Sequence, residues 1–334
     1  DKALTARYIE AAVRAHELAV FYPSTPSADE TGRLRGCVVL ARADRHGARL
    51  STLPLLRAAC DTVNGPGMPA PLSTARPLPT VPASAAVQLL LACTSPAPRQ
   101  SALPTGNVDW AEFVTLCLRH AAAPLVHRAL DAEPDADVPP GVRTDLRRQA
   151  QVNRLRTRVL QDELARIAVA ARRAGVPLVA YKGPLLAQQL YGDSSLRVSS
   201  DLDLMVDLPL VDRTAAVMQS LGYRFVPLRG QQGLRGAATN LRHWHCYNFV
   251  SGRLRLAVDL HVRFAPRHFP VAADLSTFAG RLQPGSVGDQ TLMRFDDIDA
   301  LVLLAMHAAK DLPWRRLTWY SDMALLVQRL SAAD

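Results

Sequence analysis

Ser200-Asp201-Leu202-Asp203-Leu204-Met205-Val206 is the stretch from which the rest of the chain can be read. Successive side chains of a β-strand point to opposite faces. Leu202, Leu204 and Val206 then enter a core, while Asp201 and Asp203 share the other face. Two neighbouring carboxylates repel unless positive charge stands between them. A divalent cation such as Mg²⁺, which prefers hard oxygen ligands, is the usual solution. The alternative is a solvated strand face. A second alternating stretch runs from Leu254 to Phe264. Its even positions are apolar, and Asp259 shares the other face with Arg255, His261 and Arg263. If the two strands lie side by side, a third carboxylate reaches the same cleft. Three such acids can hold two Mg²⁺ ions, which clamp the attacking and leaving oxygens of an in-line phosphoryl displacement. The third acid can also take a proton from an attacking hydroxyl. Failing that, Asp259 pairs with Arg255 or Arg263.

Upstream, a short apolar strand (Val176–Tyr181) runs into Lys182-Gly183-Pro184 and a helix through Leu190. A glycine at a strand-to-helix turn lets backbone N–H groups approach a phosphate, and the helix N-terminus favours the anion. Lys182 adds a point charge, or else caps a surface turn. A strand within Arg197–Val206 follows, then a helix from Pro209 to Leu221 with Gly222 as its C-cap. Residues 246–264 read as a hairpin turning at Ser251-Gly252, and helices close the chain near 297–310 and 315–331. Before the first strand, Asp109 caps a helix from Trp110 to about Leu130. The turn Pro134–Gly141 separates it from a long helix, Val142–Ala174. On that helix Arg143, Arg147, Arg154, Arg158 and Arg172 fall within about 60° of one another. They form a solvated face or one wall of an anion-binding cleft. The order is helices, then β-α-β-α-β, then helices, which is α+β.

The N-terminal part is different in texture. Residues 2–21 have helical spacing, and 36–52 suggest a hairpin, from Cys37–Leu40 to Ala48–Leu53, with a short helix after it to Val63. Nine of the 24 prolines fall within residues 64–104, so the start of that segment reads as a linker. Ser84 then caps a short helix to Cys93.

Of the 334 residues, 49% are hydrophobic and 21% charged, enough for a sizeable core and unlike a disordered chain. No run approaches the ~18 apolar residues of a membrane helix. Acids and arginines interrupt residues 1–20, unlike a signal peptide. Five scattered cysteines without a CxxC spacing argue against a disulfide framework or a zinc knuckle. A soluble cytoplasmic protein is expected. The net charge of +9 comes almost wholly from arginine, since three lysines (Lys2, Lys182, Lys310) are present. High-GC codon bias explains this, and a polyanionic ligand is the alternative.

Taken together, Leu178–Gly183, Leu190–Val206, Leu221-Gly-Tyr223, Val258-Asp259-Leu-His261, and His307-Ala-Ala-Lys310 followed by Trp314 and Asp322 carry a resemblance. They resemble an uncharacterised bacterial nucleotidyltransferase family of the DNA polymerase β-like superfamily, often met near peptide natural-product genes. The likeness covers roughly residues 85–334. It implies a polymerase β-like palm, a small mixed sheet with helices, at 175–270. Helical regions would flank it at 84–174 and 271–334, and a Pro-rich linker (64–83) would tie it to a small N-terminal module (1–63). It implies transfer of an NMP group from an NTP such as ATP to a hydroxyl of a small molecule or peptide, releasing pyrophosphate. Asp201, Asp203 and Asp259 would bind two Mg²⁺ ions, with Mn²⁺ as a substitute. Lys182, Gly183, Ser200 and Arg197 would bind phosphate, although Arg197 could instead pair with Asp203. His243, His245, His261, His307 and Lys310 would stand near the acceptor or behind the first ligands. His243 and His245, two apart, could also ligate zinc or be ordinary buried histidines. His307, Lys310 and Asp322 could simply bridge helices, and Trp314 and Trp319 fit a core better than a stacking platform. Pro184 departs from the usual Ser or Gly, so Ser199 or Ser200 would supply a hydroxyl. Two rival functions remain: a degenerate palm serving as a peptide- or carrier-binding scaffold, and nucleotide addition to RNA. Membrane association is not expected.

Overall fold

The computed structural model describes residues 18–21, 39–42, 83–96, 99–227, 245–264, 274–310 and 316–333. Two compact units divide the chain, residues 1–152 with 301–334, and residues 153–300.

In the first unit β1 (Leu18–Phe21) pairs antiparallel with β2 (Val39–Arg42). This corrects the helix expected to extend to residue 21. Leu18-Ala-Val-Phe21 is a continuous apolar run, and Pro23 disfavours helix just beyond it. It also gives the strand near Val39 a different partner from Ala48–Leu53. The rest of the expected 2–21 helix, the segment 48–53 and residues 64–82 of the linker lie outside the described residues. Helix α1 (Ala85–Thr94) starts at Ser84, whose hydroxyl accepts from Val87 N at 3.3 Å. It packs on α2 (Trp110–Arg119) and α3 (Ala123–Asp131), burying Leu89, Leu90, Phe113, Leu116 and Leu125. Asp109 caps α2 as expected, accepting from Ala111 N and Glu112 N at 3.0 Å each.

The single helix expected over Trp110–Leu130 is two helices. Pro124 sits in the first turn of α3, where its missing N–H and its ring prevent continuation from the turn before. Ala121 reverses the chain with φ 55°. Helix α4 (Pro140–Arg173) follows. Arg143 does not belong to a solvated stripe. Its guanidinium donates to the carbonyls of Leu130 (2.8 Å), Glu133 (3.0 Å), Pro134 (3.1 Å) and Ala136 (2.8 Å), tying down the end of α3 and its exit loop. Arg147, Arg154, Arg158 and Arg172 are exposed.

The second unit holds one seven-stranded mixed sheet in the order β5-β6-β7-β4-β3-β9-β8. In chain order its elements are β3 (Val179–Ala180), α5 (Gly183–Tyr191), β4 (Asp201–Met205), α6 (Val211–Ser220), β5 (Tyr223–Val226), β6 (Cys246–Ser251), β7 (Ala257–His261), β8 (Gln283–Val287) and β9 (Gln290–Arg294). Leu160, Leu164, Ile167 and Ala171 of α4 recur at helical spacing. They share a core with Leu202, Leu204 and Val206 of the β4 stretch, Val258, Leu260 and Val262 of the β7 stretch, and Ala215 and Met218 of α6. That core fixes which face of β4 and β7 is left for polar chemistry. The β8–β9 hairpin falls within 271–334, the segment expected to be helical, and it forms despite Pro284 and Gly285, which are weak strand residues. At Gly285 a Cβ would come within 3.1 Å of Leu185, so the glycine lets α5 close on β8.

Helices α7 (Asp297–Lys310) and α8 (Leu317–Ala333) end the chain. Leu317 N donates to His120 Nδ1 at 3.3 Å, which ties the start of α8 to the end of α2. Among the described residues no helix is long and apolar enough to cross a membrane.

Candidate active site

Strands β4 and β7 are parallel neighbours, and their register sets Asp203 opposite Asp259 and Asp201 opposite Ala257. Since the apolar residues of both strands face the core, Asp201, Asp203, Asp259 and His261 emerge together on the other side.

Asp203 is buried, and its Oδ1 lies 3.0 Å from both Lys182 Nζ and His261 Nε2. The backbone places Lys182 there: Tyr181 N donates to the Asp203 carbonyl at 3.0 Å, so the chain leaves β3 beside the acid. Lys182 Nζ also lies 4.9 Å from the centroid of the Tyr181 ring, which is itself edge-on to His261 at 5.5 Å. Gly183 then opens α5 with φ 72°, a left-handed conformation that suits glycine. On β6, Asn248 stands opposite Asp259 and its Nδ2 donates to Asp259 Oδ1 at 2.5 Å. Ser200 Oγ donates to Asp201 Oδ1 at 3.1 Å. The approach to β4 is held from α4, where Asn153 Nδ2 donates to Ser195 O at 2.7 Å and Arg156 Nη2 to Ser200 O at 3.0 Å. Arg197 is buried there and donates to Ser199 Oγ at 3.3 Å.

The three carboxylates are electrostatically unequal. Burial opposes ionisation of Asp203, yet Lys182 and His261 outweigh it and hold the carboxyl well below the usual carboxylate range. Asp201 is pushed up, first by burial and then by the Asp203 charge. Asp259 is pushed up by burial, then by Asp203 and Asp201. One acid is thus compensated by the protein, and two are short of positive charge. Such a set, made of hard oxygen donors, fits a divalent cation.

Of the residues expected in the site, Asp201, Asp203, Asp259, Lys182, Ser200 and His261 come together. His245 lies beside them, its ring 6.0 Å from that of His261. His307 belongs to the helical unit, edge-on to Trp319 at 4.9 Å, and Lys310 ends α7 there. Asp322 is fully buried in α8. His243 and Trp314 lie outside the described residues. Asn248 and Tyr181 were not anticipated. The signal for Asn248 was its place on a strand next to β7, but it required the hairpin register. The turn is longer than Ser251-Gly252 suggests, and Arg255 takes φ 50° within it.

A family described as uncharacterised nucleotidyltransferase matches residues 106–334. The chain belongs to that family. The expected α+β class is also the observed one, with a single mixed sheet carrying the acids and helices on either side in sequence. No curated protein matches this nucleotidyltransferase. Two solved structures are similar to it. One is the solution structure of the antibiotic-resistance factor ANT(2'')-Ia, at 15% identity and TM-score 0.38, over 52% of this chain and 86% of that one. The other is a crystal structure of ANT(2'')-Ia in complex with adenylyl-2''-tobramycin, at 15% identity and TM-score 0.37, over 52% of this chain and 91% of that one.

Proposed function

We propose that this nucleotidyltransferase moves an NMP group from an NTP to a hydroxyl of a small-molecule or peptide acceptor, with Mg²⁺ held by Asp201, Asp203 and Asp259. The observation that carries the reading is the pairing of Asp203 with Asp259 across β4 and β7, with Asp201 on the same face. Bound Mg²⁺ would neutralise charge on the phosphates and on the leaving group. In the transfer, the acceptor oxygen forms a bond to the α-phosphorus. The bond from that phosphorus to the bridging oxygen breaks, and pyrophosphate leaves. Asp259 is suited to receive the hydroxyl proton, because its surroundings raise its proton affinity and Asn248 occupies only Oδ1. Lys182 orients Asp203 and has two further N–H donors for the β- and γ-phosphates. The N–H groups at the start of α5 add to that cradle. Pro184 supplies none.

A scaffold reading also has an observation behind it: the Lys182–Asp203 ion pair already compensates one acid. Isothermal titration with each NTP, with and without Mg²⁺, separates the two. The enzyme reading expects Mg²⁺-dependent NTP binding. It also expects an adduct of NMP mass in an extract incubated with NTP, weakened at least 100-fold in Asp259→Asn. Absence of NTP binding with Mg²⁺, or an unaffected Asp259→Asn variant, overturns it.

A further inference from the structure

Strand β6 brings a thiol to the edge of the acid cluster. Cys246 is the cross-strand partner of His261, and Asp259 lies two residues before His261 on the same face. The Cys246 sulfur, a carboxylate oxygen of Asp259 and a ring nitrogen of His261 all lie within 4.8 Å of one another. A second observation concerns the imidazole. His261 is 5% exposed, and with Nε2 against Asp203 its Nδ1 is buried without a hydrogen-bond partner. A buried ring nitrogen left in that state is costly unless something binds it.

We propose that Cys246, Asp259 and His261 form a second cation site, selective for thiophilic divalent ions of the zinc class and overlapping the Mg²⁺ site at Asp259. Sulfur and imidazole donors suit Zn²⁺ or Co²⁺ and are poor ligands for Mg²⁺. Three protein ligands leave a fourth position for water. The tetrahedron built on zinc–sulfur and zinc–nitrogen bonds has an edge of about 3.5 Å, and the three ligand atoms lie within 4.8 Å of one another. Binding displaces the thiol proton, which leaves with solvent. One consequence rests on the transferase reading above: an ion that takes Asp259 removes the third Mg²⁺ ligand. Zinc-class ions then act as competitive inhibitors, whereas the binding itself needs no catalytic activity.

The test uses the full, metal-free chain titrated with Co²⁺. One equivalent should produce a thiolate-to-cobalt charge-transfer band with tetrahedral d–d absorption, and Zn²⁺ should abolish both. Cys246→Ala should lose the band and bind at least tenfold more weakly, while Cys93→Ala keeps it. Absence of the band in the wild-type protein, or its persistence in Cys246→Ala, overturns the site. Zinc K-edge absorption on the loaded wild-type protein needs no variant. One sulfur at about 2.3 Å supports the site, and a shell without sulfur overturns it. In the nucleotide arm, Zn²⁺ should lower Mg²⁺-dependent NTP affinity at least tenfold. A cobalt band with unchanged NTP affinity overturns the competition alone. A chain that binds no NTP even with Mg²⁺ overturns the transferase reading, and the cobalt spectrum still decides the site.

Discussion

Replacing Lys182 by Met removes the ammonium partner of a carboxylate that has little access to water. Lys182 Nζ and Asp203 Oδ1 are 3.0 Å apart, with the side chains only 9% and 8% exposed. At an effective dielectric constant of about 20, that separation corresponds to about 5.5 kcal/mol of attraction. Breaking a buried pair from one side costs about 3–5 kcal/mol, because the remaining charge stays buried. His261 Nε2 still contacts the same oxygen, so the lower end, about 3 kcal/mol, is expected. Urea denaturation at pH 7 in a chelator measures this, provided the dependence on urea is unchanged. The folded-state affinity of Asp203 for protons lies below its unfolded value. Its stabilisation is therefore complete above the unfolded carboxylate range, about pH 4, and is lost as pH falls through the folded value. The deficit of the variant should be flat from pH 6 to 8 and narrow in acid, where its less well paired Asp203 protonates. Millimolar Mg²⁺ should recover part of it by supplying new positive charge. A variant within about 0.5 kcal/mol of the wild type at pH 7 would show that the ion pair contributes little in solution, and the argument would fail.

Four further outcomes follow from the same structure. Glu163 accepts from Arg166 and from the Tyr223 hydroxyl (2.8 Å); burial opposes its ionisation, but these partners hold its carboxyl below the usual range. Glu163→Gln should cost about 2 kcal/mol at pH 7, and the gap to wild type should close as pH falls below about 4, in parallel urea titrations. Gly183→Ala puts a side chain at φ 72°, where the added Cβ meets Asp201 O at an ordinary 3.8 Å. The cost is backbone strain alone, about 1–2 kcal/mol, and an unchanged Tm would refute it. Arg143→Ala removes the donor to four carbonyls and should destabilise the helical unit by about 2–4 kcal/mol, whereas Arg154→Ala should be near neutral in the same melts. Asp259→Asn relieves repulsion with Asp203 and should raise metal-free stability by up to about 1 kcal/mol while weakening Mg²⁺ binding measured by calorimetry; a loss of metal-free stability would count against the repulsion.

The face of the sheet that carries the acids was legible because alternation is local. Leu202, Leu204, Val258 and Leu260 had to share a core, so the aspartates had to share the opposite side. The glycine turn at Gly183 and the caps at Ser84 and Asp109 were legible for the same reason, since each acts over a few residues. The partner of Lys182 was not. A lysine beside a glycine turn points equally well to a phosphate or a carboxylate, and only the β3–β4 pairing brings Asp203 within 3.0 Å. Asn248 and Cys246 depended on the length of the turn between β6 and β7, where a change of a few residues alters every cross-strand contact. The break at Ala121 was written in Pro124 but lay inside a strong apolar helical pattern, which masked it. The arginine stripe misled at Arg143 because periodicity gives an angle around a helix, not which carbonyls lie beside it.

The placement of charge on β4 and β7 argues for a cation more strongly than the presence of three acids does. Like charges directly opposite on paired strands destabilise a sheet, and Asp203 faces Asp259 in that way. A surface that merely needed polarity would be served by asparagine, without the repulsion. Lys182 and His261 do not remove the problem, because both converge on a single oxygen of Asp203. Asp259 receives a neutral amide from Asn248, and Asp201 a neutral hydroxyl from Ser200. Each neutral donor orients its carboxylate but brings no charge. The fold therefore fixes the geometry of two acids and leaves their charge only partly compensated, a local conflict of the kind that natural sequences retain at functional sites. A divalent ion would resolve it at both acids at once. On this argument Lys182→Met and Asp259→Asn should shift metal-free stability in opposite directions, and a same-sign result would remove the electrostatic case for the site.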